Sequence, residues 1–321
     1  MPRCKFAAWL TRPESRVAVV GASGWVGMAL VDRILAAAPD LAPDRLRLLG
    51  SRPRTLTVSG QTLEIERLES TPPLGEGEWL VLHAAIIGAD RVEHGDLDEV
   101  RRRNDAMLRH VLNLAESGAT RRLVAVSSGA AARPNAGGAA RQAYGRLKHD
   151  HEIAVADWSA RTGRRVLVPR IFSLGGPYIN HTSAYALGDF ILQQAREHRI
   201  AIGAPVPIVR SFVHVLDAAQ AMLDMAVDDA ESDAPWDVCL GREIELQDLA
   251  RAVAAAFGDE PVIDRPPVAA TSGDLYVGQG ARFQAALASR GDTPLGLDRI
   301  VSDTIAYLRA AGEIPTSGDD A

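Results

Sequence analysis

The stretch Val19-Val20-Gly21-Ala22-Ser23-Gly24-Trp25-Val26-Gly27 decides the fold. The β-branched run at 16–20 reads as a strand, and the amphipathic stretch 25–38, closed by Pro39, reads as a helix. Glycines recur at every third position across the junction. Gly21 permits the tight turn, Gly24 lets backbone amides approach a pyrophosphate, and Gly27 lets the helix pack closely on the strand. The helix N-terminus then faces the negative charge. A glycine-rich turn alone would mean little. Set between a strand and a helix near the start of the chain, it predicts a dinucleotide-binding loop formed by Gly21, Ser23, Gly24, Trp25, Val26 and Gly27.

Outward from this loop, strand-like and helix-like segments alternate. Apolar runs at 46–49, 63–66, 79–83, 123–126 and 165–168 read as strands. Stretches at 97–117 and 142–161, stopped by Gly118 and Gly163, read as helices. Repeated strand–helix–strand order predicts an α/β fold of the Rossmann type, with a doubly wound parallel sheet. The alternation ends after Arg170. Gly175-Gly176-Pro177 marks a loop, and helical periodicity returns at 183–197, 217–227, 246–257 and 297–310. The chain thus divides into a short, disordered N-terminal extension (1–15) and a dinucleotide-binding domain (16–173, with a returning segment at about 211–241). A smaller, irregular substrate-binding portion (174–210 and 242–315) and a disordered tail (316–321) complete it.

The 321 residues are 47% hydrophobic, enough for a sizeable core. A formal net charge of −6, with acids and bases mixed along the chain, opposes a dedicated nucleic-acid surface. Arg101-Arg102-Arg103 reads as a solvated helix face. Cys4 and Cys239 make neither metal-ligand spacing nor a disulfide framework, so no metal is expected and a reducing, cytoplasmic setting is. No stretch reaches the ~20 apolar residues of a membrane span, so no membrane partner is expected either.

The end of the second strand selects the cofactor. An acid there would bind the ribose 2′-hydroxyl of NAD and repel a 2′-phosphate. This chain has Gly50-Ser51-Arg52 with Arg54 close by, which favours NADP, held by Ser51 and Arg52, with NAD as the other possibility. Tyr144 and Lys148 lie four apart, on one face of the helix after the fifth strand. A nearby ammonium favours the phenolate, and such a tyrosine can act as general acid or base at a carbonyl. The fifth strand ends in Val126-Ser127-Ser128, where ligands of doubly wound sheets sit and where a hydroxyl can hydrogen-bond a substrate oxygen.

With these pieces in order, the chain resembles the extended short-chain dehydrogenase/reductases of the nucleotide-sugar epimerase, dehydratase and reductase group, over about residues 16–311. The matching pieces are GASGWVG, the LHAA of 82–85, Asn104, VSS, YGRLK, PRIFSLGGP and RSFVHVLDAA. The resemblance implies Tyr144 as acid/base, with Lys148 also holding the nicotinamide ribose. Ser128, or else Ser127, is then the serine of the triad, and Asn104 supports the lysine through water. Ala84 and Ala85 after His83 would line the cofactor, while Ser173 and Arg210 would face the substrate, Arg210 at a diphosphate. The Thr-Asp-Glu set of the sugar dehydratases is absent after the fifth strand, which leaves reductase and epimerase open. The expected function is an NADP-dependent reductase acting on a keto group of a nucleotide-linked sugar. Its alternatives are an epimerase that keeps its nicotinamide bound, a reductase of a small non-nucleotide carbonyl and, outside enzymes, a cofactor-binding sensor. A homodimer through the helices at 97–117 and 142–161 is expected.

Overall fold

The computed structural model describes residues 4–88, 96–231, 233–268 and 273–315; the expected tail, 316–321, lies outside them. The chain opens with helix α1 (Lys5–Leu10), then strand β1 (Ser15–Val20), helix α2 (Trp25–Ala37), strands β2 (Leu46–Gly50), β3 (Arg54–Val58), β4 (Gln61–Arg67) and β5 (Glu78–His83). Helix α3 (Leu97–Glu116), strand β6 (Ala119–Ala125), the short strand β7 (Ser127–Ser128), helix α4 (Ala139–Thr162) and strand β8 (Arg165–Leu167) follow.

The main sheet has seven strands in the order β3-β4-β2-β1-β5-β6-β8, all parallel except the β3–β4 pair. Alternate residues of β1 go to opposite cores: Val17 and Val19 pack in the layer with α1 and α2, Ala18 and Val20 in the layer with α3 and α4. Both faces are covered, so the strand reads as an unbroken apolar run. The chain leaves β1 towards β2 on one side and returns to β5 on the other. The loops after β1 and β5 therefore diverge at the switch point where such sheets bind ligands.

One expectation changes here. Residues 5–10 are not disordered: α1 buries Phe6, Trp9 and Leu10, and the Phe6 amide donates to Asp224 at 2.8 Å. Each such burial is worth roughly 1.5–3 kcal/mol, enough to hold a two-turn helix in place. The passage from β2 to β4 uses no helix. Strand β3 pairs antiparallel with β4 across Ser59-Gly60, both at positive φ as a two-residue hairpin turn requires. The alternation of Leu56 and Val58, buried, with Thr55 and Thr57, exposed, was a readable strand signal.

Beyond β8 the chain forms short strands and helices α5 (Ala186–Glu197), α6 (Val215–Ala226), α7 (Leu246–Phe257), α8 (Ala281–Ala288) and α9 (Leu297–Ala310). Helix α6 returns to pack on α1 and α2, and strand Trp236–Val238 joins Pro169–Ile171 and β7 in a small sheet. Strand Ile208–Arg210 lies between Ile244–Glu245 and Asp274–Tyr276. Among the described residues no helix is long and apolar enough to cross a membrane, and no group of three or more metal-ligating side chains occurs.

Candidate active site

The glycine loop bridges β1 and α2. Gly21 has φ +87°, and a Cβ on it would sit 2.6 Å from the backbone of Ala85. This packs the loop after β1 against the Ala84-Ala85 loop after β5. A Cβ on Gly27 would lie 2.0 Å from Gly21 O, so only glycine lets α2 start this close to the turn. At Gly24 a Cβ would meet Gly21 O at 3.3 Å and otherwise open space. Gly24 is the N-cap of α2, whose first turn has no side-chain cap and no acid. By contrast, Asp96 accepts from two amides at the start of α3. The free amides of α2 are thus open to an anion.

Around the loop, Arg54 at the start of β3 donates to the Ser23 hydroxyl, while Ser51 and Arg52 are exposed just beyond β2. The hairpin is what brings the Arg54 guanidinium onto the loop. Val26 is half-buried in the first turn of α2. Trp25 is almost entirely buried, with its indole N–H on Pro177 O at 2.8 Å and its ring edge-on to Tyr185 at 5.2 Å. Its side chain therefore ties the glycine loop to the segment around Pro177 and Tyr185.

His83, at the end of β5, is buried, and its Nδ1 has no hydrogen-bond partner among the described residues. Loss of water, with the nearby Lys148 and His151 charges, lowers its pKa to about 3. The unfolded chain takes up a proton below about pH 6.5 that the folded chain refuses, so stability falls as pH drops from 6.5 towards 3. Burial lowers His151 and His214 in the same direction. Urea unfolding between pH 7 and pH 5 is expected to show a loss of about 1.4 kcal/mol per pH unit from His83 alone, well below pH 6.5. The loss should be shallower in His83→Gln; an identical slope in that variant would mean His83 is not held neutral. Asn104 is fully buried, and its side chain clamps the loop after β5. Its Oδ1 accepts from Ile87 N at 3.0 Å, and its Nδ2 donates to Ile87 O at 2.9 Å and Val100 O at 2.8 Å.

Helix α4 brings Tyr144 and Lys148 to the ends of β6 and β7. Gly145 allows the approach, since a Cβ there would press on Ala130 O at 3.0 Å. Lys148 is buried and donates to Val126 O at 2.9 Å; loss of water lowers its pKa to about 8, against the opposing pull of Glu152. Tyr144 is 38% exposed, but its hydroxyl end lies among Ser128, Tyr276 and Tyr185. Loss of water there pushes the phenol above its ordinary value, Tyr276 adds to this, and the hydrogen bond with Ser128 opposes it. The phenol is thus held protonated at neutral pH.

The two serines have separate partners. Ser127 Oγ donates to Glu152 Oε1 at 2.6 Å, and Arg170 grips the same carboxylate through both oxygens at 2.9 and 2.6 Å. Ser128 Oγ instead meets the Tyr276 hydroxyl at 2.8 Å and accepts from Ala130 N at 3.2 Å. Ser128 is therefore the serine beside Tyr144. Ser173 sits in a strand paired with Phe212–His214, its amide donating to Ser211 O at 3.1 Å. Arg210 is close by but engaged, with Nη2 on Asp274 Oδ2 at 2.7 Å and Nη1 on Asp274 O at 2.9 Å. Arg141 takes the other Asp274 oxygen at 2.7 Å. Burial raises the Asp274 pKa, but the hydrogen bonds from these two arginines outweigh it and hold the carboxyl below its ordinary value. Glu152, Arg170, Asp274 and Tyr276 are the site-forming residues that reading the sequence missed. A cleft of about 610 Å³ opens beside Tyr276 between Phe172, Trp236, Arg141 and Arg282, with none of its lining from 174–210 and much of it from the stretch after 242.

The comparisons with known proteins agree with this layout. No curated protein matches the sequence. Among solved structures, UDP-N-acetylglucosamine 4-epimerase from Methanobrevibacter ruminantium M1, in complex with UDP-N-acetylmuramic acid, superposes with a TM-score of 0.74 at 15% identity, covering 94% of this chain and 100% of that one. RMD from Pseudomonas aeruginosa complexed with NADPH gives 0.69 at 21% identity, over 92% and 100%. The UDP-glucose 4-epimerase of Thermus thermophilus, in complex with NAD, gives 0.69 at 20% identity, over 92% and 99%. These likenesses are likenesses of fold. The sequence model of the NAD dependent epimerase/dehydratase family matches residues 17–241, the span that carries the glycine loop, Ser128, Tyr144 and Lys148. The chain belongs to the NAD dependent epimerase/dehydratase family.

Proposed function

We propose that this enzyme is an NADP-dependent reductase of a keto group on a nucleotide-linked sugar, with Tyr144 as the general acid. The observation that carries the reading is the meeting of Tyr144, Ser128 and a buried Lys148 at the switch point of the sheet, next to a loop whose turn and helix start need Gly21 and Gly27. Gly21, Gly24 and Gly27 with the uncapped start of α2 fit a pyrophosphate. Ala84 and Ala85 line the far side, and Lys148 is the residue for the nicotinamide ribose. Bound NADPH would supply hydride to the carbonyl carbon. Ser128 orients the substrate oxygen, and Tyr144 gives that oxygen its proton. A phenol held protonated suits this direction, because reduction consumes a proton. The expected signature is a rise in melting temperature with NADPH plus a nucleotide keto sugar such as UDP-4-keto-6-deoxyglucose, followed by NADPH oxidation. A full panel of nucleotide keto sugars that neither stabilises the protein nor consumes NADPH would remove the reading. One observation favours a second: Asp274 already occupies Arg210, which suits a small ketone without a diphosphate.

For the cofactor, Arg54 and Arg52 stand where a 2′-phosphate would lie and no acid ends β2. A charge-assisted hydrogen bond is worth about 1.5–3 kcal/mol, so Arg54→Ala is expected to weaken NADPH by about tenfold or more, with Arg52→Ala acting in the same sense. NADH should hardly change. Titration of both cofactors checks this, and equal losses for the two would make the arginines structural.

A further inference from the structure

We propose that Tyr276 is a positioning residue of the reaction, acting through Ser128. The inference rests on the hydride-transfer reading above. The Tyr276 hydroxyl has two acceptors within reach, Ser128 Oγ at 2.8 Å and Ile171 O at 3.4 Å. Either hydroxyl of the 2.8 Å pair can donate, but Ile171 O lies beyond the usual O–H···O span of about 2.5–3.0 Å, which favours the tyrosine proton on Ser128. Ser128 then accepts twice, from Tyr276 and from Ala130 N. A hydroxyl has two lone pairs and one proton, so both acceptor sites are spent and the proton is left to donate. The Tyr144 hydroxyl also lies beside it, and the proposed reaction brings the substrate oxygen there. Tyr276 thereby fixes Ser128 as a donor to that oxygen as negative charge develops on it.

The placement of Tyr276 is itself rigid. Its strand pairs in parallel with Ile208–Arg210, with Tyr276 opposite Arg210. The ring packs on Phe172 at 4.8 Å and lies under the guanidiniums of Arg141 at 5.1 Å and Arg210 at 6.0 Å. Both arginines are anchored on Asp274, two residues before Tyr276. This substrate-side strand therefore sets the rotamer of a hydroxyl that belongs to the cofactor-binding half.

Tyr276→Phe keeps the ring and its stacking and removes only the donor. Steady-state reduction by the NADPH holoenzyme is measured with UDP-4-keto-6-deoxyglucose and, separately, with the small diketone 2,3-butanedione, in wild type, Tyr276→Phe, Ser128→Ala and the double variant. We expect kcat to fall about tenfold in Tyr276→Phe, the size of one lost neutral hydrogen bond, with KM little changed. In the Ser128→Ala background the same change should have no further effect, because the residue acts through Ser128. A general structural role would instead multiply the two losses, and that result, or an unchanged kcat in Tyr276→Phe, overturns the proposal. Silence of the nucleotide-sugar arm alone tells against the nucleotide-sugar reading and leaves the diketone cycle to decide on Tyr276. Silence of both arms removes hydride transfer and this proposal together.

Discussion

Tyr144→Phe is expected to bind NADPH as the wild type does and to lose about 10²–10⁴-fold in turnover, the range for a lost general acid. The substitution removes one oxygen and keeps the ring. Lys148 stays on Val126 O, and Ser128 keeps its bonds to Tyr276 and Ala130. The ring stays in place and only the hydroxyl's bond with Ser128 is lost, so the melting temperature should move by no more than a few degrees. The loss should fall on kcat and kcat/KM together, as for an interaction made in the transition state. Cofactor titration beside steady-state reduction separates the outcomes. Turnover within a few-fold of wild type would pass the acid role to another group, and the Tyr276 hydroxyl on the far side of Ser128 would be the one to examine.

The second large effect is on stability. Glu152→Ala is expected to destabilise the fold by about 3 kcal/mol. Glu152 is 8% exposed, lies one turn beyond Lys148 on α4, and accepts from Ser127 and from both arms of Arg170. Removing it takes from Arg170 and Ser127 the carboxylate that satisfies them both. The Arg170 side chain is 21% exposed and recovers some water, which puts the cost at the low end for a broken buried pair. Glu152 also favours the charged form of Lys148, so its loss should push the lysine pKa further down and cut turnover at neutral pH. Glu152→Gln keeps the shape and two hydrogen-bonding atoms and should cost less than Glu152→Ala. Urea unfolding of the three proteins measures the order. A loss under about 1 kcal/mol in Glu152→Ala would show that Arg170 simply turns to solvent.

Several of the sequence readings concern features set within a few residues, and the structure has them in place. The helix at 97–117 is seen as Leu97–Glu116, because Asp96 caps its start and apolar residues recur along one face. Helix α4 starts at Ala139, three residues before the expected 142, and ends against Gly163 in the left-handed region. The hairpin of β3 was legible from its alternation and its Ser-Gly turn, although the sequence reading assigned no element between 50 and 62. The residue type at the end of the second strand pointed to Arg52, whereas the hairpin carries Arg54 onto Ser23. Helix α1 was missed because six residues carry too few turns to show a period. What holds it is the burial of Phe6, Trp9 and Leu10, together with the bond from Phe6 N to Asp224, 218 residues away.

The sequence by itself determined the α/β class, the glycine loop between strand and helix, and the pairing of Tyr144 with Lys148. Each depends on backbone geometry over a turn or two, and spacing reports that geometry directly. Only the tertiary structure decided which serine faces the tyrosine, since Ser127 and Ser128 are neighbours in one strand and point to opposite sides. It also decided that Arg210 is held by Asp274, and that a tyrosine 148 residues after Ser128 shares its hydroxyl. Such contacts are made by side chains that meet only after the sheet, the helices and the C-terminal strands have packed. No local period or spacing marks them, because the free energy that selects them comes from burial and hydrogen bonding across the fold.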